Sequence, residues 1–193
     1  MSYERPVRIL HFSLMITVMM QLLSEQFMQV PKPGHVIDEL GALIFGFHQL
    51  SGFIVLIAAI VYLMIVLDKD EGKQRLFPWL SSEGRCALWL EIRRDIPGWF
   101  KGKLRTPDEA HAIAGCVHGM GIMLTTALGL TGSMIYLGIE PDGAMPPPIK
   151  LIREAHEIMG LAMWIFVLGH VCMAILHQIK GHQLLQAMFC KGK

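Results

Sequence analysis

Apolar residues in this chain do not recur at the spacing of a single buried helix face. They fill whole stretches, and the breaks between them are short and rich in proline, glycine and charge. About 20 helical residues cross about 30 Å of hydrocarbon. The pattern therefore predicts four membrane-spanning helices, over about residues 6–29, 38–67, 107–137 and 149–180, with a connection at 68–106. Pro6 suits a first helical turn, and "VPKPG" at 30–34 ends that stretch. The second stretch closes on "DKDEGK". The third opens on "TPDE", with Thr106 as N-cap, Pro107 at the first helical position and Glu109 completing a capping box. "EPDGAMPPP" ends the third, and the fourth leaves the membrane near Lys180.

Composition agrees with this division. Apolar residues make up 53% of the 193, and net charge is only +1. That excludes bulk attraction to nucleic acid and places the chain, read as a single domain 1–193, among membrane proteins. The four cysteines form no CxxC pair, which argues against a zinc site, an iron–sulfur cluster, covalently attached haem or a disulfide framework. No small-residue cleavage site follows the first apolar run, which reads as a retained helix. Fourteen of the lysines and arginines lie in the N-terminus, the 68–108 connection and the tail, against Lys32, Lys150 and Arg153 on the opposite side. By the positive-inside rule both termini face the cytoplasm. The fold expected is an all-α integral membrane four-helix bundle. The long connection carries Trp79, Trp89 and Trp99 among arginines, which suits a segment lying in the membrane interface; a cytoplasmic helical cap is the alternative.

Histidines supply the candidate chemistry. His35 and His182 read as solvated. His48 and His156 sit at matching depths below the outer ends of their helices, and His170 lies in the inner half with His11 and His118 as possible partners. His156 and His170 are fourteen residues apart, about 21 Å along a helix and within roughly 40° of one face. The last helix thus presents one imidazole to each half of the bundle. Opposed imidazoles from facing helices are what a bis-histidine b haem requires. Gly52 and Gly160 each follow a histidine by four residues, removing bulk where a flat macrocycle would lie, although glycines also serve close helix packing in membranes. A histidine-lined metal-ion transporter is the competing class. Such sites usually add carboxylate or thiolate ligands, and the fourteen methionines are dispersed as gap-fillers.

Four pieces, "YERPVRILHFSL", "HQLSG", "GLTGSMIY" and "HEIMGLAMWIFVLGHVCMAILHQIK…LLQAM", resemble the prokaryotic cytochrome b561 family. That family includes superoxide oxidase and is similar to the cytochrome b subunits of nickel–iron hydrogenases. The resemblance implies two haem b groups. One would be ligated on the cytoplasmic side by His11 and His170, the other on the outer side by His48 and His156. Depth alone would favour His118 as the partner of His170. His177 matches a histidine that the family places near a quinone site, which His111 and His118 could complete; helix packing is their alternative role. Arg5 and Arg8 suit haem propionates or a positive-inside anchor equally. The long 68–105 loop departs from compact superoxide oxidases and is closer to hydrogenase-type cytochromes.

The expectation is a di-haem cytochrome of the bacterial inner membrane exchanging electrons with ubiquinone or menaquinone, as a superoxide:quinone oxidoreductase or as the relay subunit of a hydrogenase-type or other respiratory dehydrogenase complex. Its expected partners are lipid, quinone, and a periplasmic donor or dehydrogenase subunit.

Overall fold

A computed structural model of the chain describes residues 5–68, 70–99, 102–105 and 112–182, with side chains from Arg8 onward. All regular elements among them are helical: α1 (Arg5–Phe27), α2 (Glu39–Leu67), α3 (Asp70–Leu76), a 3₁₀ turn (Pro78–Leu80), α4 (Ser82–Trp99), α5 (Ala112–Gly138) and α6 (Pro147–Ile179). The capping box at 106–109, His111 and the Arg5 side chain lie outside the described residues.

Length and composition make α2, α5 and α6 candidate membrane spans. α1 is not among them: it has 23 residues, but Gln21, Ser24, Glu25 and Gln26 lower its hydropathy. Along α2, Leu43, Leu50, Ile57 and Met64 are 69, 65, 63 and 67% exposed. Their steps of seven residues keep them on one helix face. Together with Leu40 before them and Phe47, Ile54 and Val61 between them they form a continuous apolar stripe. Such a patch is far larger than a soluble monomer tolerates and suits lipid.

The chain packs as two compact units. One holds residues 9–61 and 123–165; the other holds the described residues within 1–8, 62–122 and 166–193. α1, α2, α5 and α6 each contribute residues to both.

In the first unit, α1 and α2 are clasped by polar side chains. Gln21 Nε2 donates to the carbonyl of His48 at 2.9 Å and to Ser51 Oγ at 2.6 Å. Interhelical hydrogen bonds of this kind are the common fastening between membrane helices, where apolar attraction is weak. Asp38 caps α2, its Oδ1 accepting from Gly41 N–H at 2.6 Å. α5 approaches α2 closely at Gly129, where a Cβ would stand 2.8 Å from that of Leu56. Gly143 takes a left-handed φ of 84° in the turn after α5. The absence of a side chain there lets that turn sit against the backbone of Pro31 and Lys32.

In the second unit, the long connection folds onto α5. A Cβ at Gly115 would collide with the Arg75 carbonyl, and one at Gly119 with the Leu76 carbonyl and the Trp79 ring. These two glycines, four apart on one face of α5, let the α3 backbone approach. Ser81 caps α4 through Gly84 N–H at 2.9 Å. Glu91 of α4 reaches the first turn of α5, its Oε2 accepting from Ala112 N–H at 3.1 Å and Ile113 N–H at 2.9 Å. A carboxylate at a helix N-terminus satisfies orphan donors and faces the positive end of the dipole. Asp95, 5% exposed, is balanced by Arg94 at 3.0 Å and Arg105 at 3.6 Å. Trp89 stays half-exposed with the Arg93 guanidinium 4.7 Å over its ring.

Candidate functional site

α1, α2, α5 and α6 enclose a cavity of about 340 Å3 in the first unit. His48 of α2 and His156 of α6 both stand on its wall. So do four glycines, Gly52, Gly129, Gly132 and Gly160, which leave room that side chains would otherwise fill. A Cβ at Gly52 would stand 3.6 Å from Gln21 Oε1, one at Gly160 3.6 Å from Glu25 Oε1, and one at Gly132 3.3 Å from His156 Cε1. Much of the remaining wall is apolar or aromatic, with Phe53 and Tyr136 in edge-to-face contact at 5.3 Å.

The hydroxyl partners of the two histidines suit one tautomer of each ring. Ser24 Oγ donates to the Gln21 carbonyl at 3.0 Å, and lies 2.9 Å from His48 Nδ1. Thr131 Oγ1 donates to the Ala127 carbonyl at 2.8 Å, and lies 2.9 Å from His156 Nδ1. A hydroxyl has a single proton; in the arrangement that keeps the bond to the backbone carbonyl, the oxygen only accepts from the ring. Nδ1 then carries the ring proton, and the lone pair of each ring falls on Nε2. This is the form in which a histidine ligates a metal while its other nitrogen donates to a neighbour. The sequence reading missed both hydroxyls, because neither is near its histidine in the chain.

Three more charged groups line the cavity. Glu157 accepts from Arg153 Nε at 2.7 Å, one turn apart on α6, and Glu25 projects from α1. Glu25 and Glu157 are thus the carboxylates on the cavity wall. Even so, among the described residues no third ligand atom from histidine, cysteine or carboxylate closes on His48 and His156 to form a three-ligand metal site.

In the second unit His118 of α5 and His170 of α6 meet edge to face, ring centroids 5.2 Å apart. His118 Nδ1 lies 2.7 Å from the Ala114 carbonyl. A carbonyl only accepts, so here too the lone pair falls on Nε2. Phe166 stacks on the His170 ring at 5.6 Å and 16°, and itself rests where a side chain at Gly121 would be. His177, also on α6, places Nδ1 2.8 Å from His182 Nδ1, so one ring donates and the other accepts. His182, read as solvated from its place in the tail, is thus the partner of His177. His11 and Arg8 are half-buried on α1.

The family model for prokaryotic cytochrome b561 matches residues 2–191, nearly the whole chain. The chain belongs to the prokaryotic cytochrome b561 family. No curated protein and no solved structure matches it. A cytochrome b561 is a membrane protein that transfers electrons through b-type haem. The cavity suits that group. It combines apolar walls, glycines along the helices and two imidazoles from different helices, each with Nδ1 beside a hydroxyl.

Proposed function

We propose that this cytochrome b561 binds two b haems and exchanges electrons between quinone and a donor across the bacterial inner membrane. In this reading α1 is the fourth span beside α2, α5 and α6, and both termini are cytoplasmic. The observation that carries it is the matched state of His48 and His156: both line one cavity, and both have Nδ1 engaged and Nε2 available. These two would hold one haem. His170 would hold the other, with His11 by the family pattern or with His118 by its ring contact. Bound haem supplies reversible one-electron transfer between ferrous and ferric iron.

The residues of the chain do the rest. The helices fix the imidazoles, the apolar walls exclude water, and Arg153 is the cavity's cation for a propionate if it exchanges its Glu157 partner. The His177–His182 pair offers a quinone both a donor and an acceptor, with Lys180 as the basic residue between them in sequence and Arg8 of α1 as the one that the resemblance implies. His111 and Arg5 keep the roles that the resemblance implies, completing the quinone pocket and pairing a propionate. Of the finer readings, a relay subunit of a dehydrogenase is favoured over superoxide oxidation. Arg153, one of three basic residues on the side opposite the termini, is neutralised by Glu157, which leaves little positive charge to steer an anionic substrate.

The test is anaerobic addition of a quinol to purified, oxidised protein. Growth of a reduced b-type α band is expected. A protein without that band, even under dithionite, is not a haem carrier and returns the histidines to the metal-transporter reading. Copurification of a dehydrogenase separates the relay role from quinone-dependent superoxide consumption by the isolated chain.

A further inference from the structure

We propose that Ser24 and Thr131 are positioning residues that hold His48 and His156 in the iron-binding tautomer and set the potential of the haem held between them. The inference rests on the haem reading of the cavity.

The two arrangements are alike though built from different helices. Ser24 on α1 serves His48 on α2, and Thr131 on α5 serves His156 on α6. Each hydroxyl is turned by a bond to a carbonyl of its own helix, Gln21 at 3.0 Å and Ala127 at 2.8 Å. This back-bonding is the ordinary habit of serine and threonine in a helix, and here it does something further. While its proton is on the carbonyl, the oxygen has only lone pairs to offer the ring. A histidine free to choose could place its proton on Nε2 and lose its ligand atom. Beside these oxygens that tautomer makes the hydroxyl turn its proton to Nδ1 and give up the bond to its own helix's carbonyl.

The scaffold keeps the partners in register. Gln21, whose carbonyl orients Ser24, also donates from its side chain to the His48 carbonyl at 2.9 Å. Ser24 and His48 thus share one clasp, and α1 cannot slide on α2 without breaking both bonds. On the other side, Gly132 follows Thr131, and a Cβ there would press on His156 Cε1 at 3.3 Å. Thr131 and Gly132 thus both border the Nδ1–Cε1 edge of the ring.

An imidazole that donates from Nδ1 is the more basic ligand. It favours ferric iron and lowers the reduction potential, a lever distinct from axial-ligand identity. Removing the hydroxyl removes the donation and should raise the potential.

The experiment is an optical redox titration of the purified wild-type protein in detergent, with Ser24→Ala and Thr131→Val alongside Ser24→Thr and Thr131→Ser. The wild type should titrate as two components. In the two hydroxyl-free variants one component should rise by about 59 mV, the one-electron equivalent of a tenfold change in equilibrium. The other component should stay, and the hydroxyl-bearing variants should titrate like the wild type. Two bound haems at wild-type potentials in both Ser24→Ala and Thr131→Val would overturn the inference. So would loss of haem in those variants that Ser24→Thr and Thr131→Ser share, because a hydroxyl would then not be what matters. Wild-type protein without haem would overturn the cavity reading itself, a failure visible before any variant is titrated.

Discussion

Consider leucine placed at Gly160. The glycine faces the histidine cavity from α6, one turn after His156. A methyl there would stand 3.6 Å from Glu25 Oε1 and 3.7 Å from Oε2. That is ordinary contact, so alanine fits and should gain about 1 kcal/mol of helix propensity. Leucine extends two further bond lengths beyond Cβ. Towards Glu25 there is no room for them, because contact is already made at the first carbon. The remaining directions lead into the cavity of about 340 Å3. Leucine shares alanine's helix preference to within a few tenths of a kcal/mol, so the helix itself should not object. The prediction is a stable, helical protein with one haem instead of two. Gly160→Ala should keep two. The assay pairs haem content per chain with far-ultraviolet circular dichroism in the same detergent. Two haems in Gly160→Leu would refute the reasoning, for it would mean that the space beside His156 is not where haem lies. A pronounced loss of helicity would refute it too, since the argument requires the variant to fold.

Three other substitutions test separate parts of the structure. His118→Ala should leave two haems if His11 is the partner of His170, whereas loss of one haem would make the 5.2 Å ring contact the ligand pair. Glu91→Ala should cost about 1 kcal/mol by stripping the cap from α5, read as faster hydrogen exchange at Ala112 and Ile113 with the rest of the helix unaffected; unchanged exchange at those amides would contradict it. Gln21→Leu removes two interhelical bonds of α1, worth about 0.6 kcal/mol each on the average for membrane helices, so thermal inactivation in detergent should come earlier; an unchanged inactivation temperature would show that the clasp bears no load.

How much of this was legible in the sequence differs by element. The long apolar helices were, because composition alone decides them. α2 begins at Glu39 and α5 ends at Gly138, each within a residue of the limit set by hydropathy and breakers, and α6 starts at Pro147, two residues earlier than Ile149, since proline is at home in a first turn. The shared cavity location of His48, Gly52, His156 and Gly160 was readable from depth and helical spacing. α1 was counted as a span by its length, but its polar residues spend themselves on neighbours. Gln21 reaches Ser51, thirty positions away, and Ser24 reaches His48, twenty-four away. Nothing local in the sequence marks such pairs. The same holds for Glu91, which caps a helix twenty-one residues further on. The connection looked like either an interfacial strip or a cap. Folding onto α5 required Gly115 and Gly119 to be read as a landing face for another backbone, and glycine pairs in an apolar helix carry no label naming their partner.

The central claim is that imidazoles on different helices pair at two separate places, each pair fitted to one haem. Haem content per chain tests it most directly, measured in the wild type, His156→Ala and His170→Ala purified side by side. The account predicts two, one and one. A haem-free wild type, or two haems retained in both variants, would contradict it.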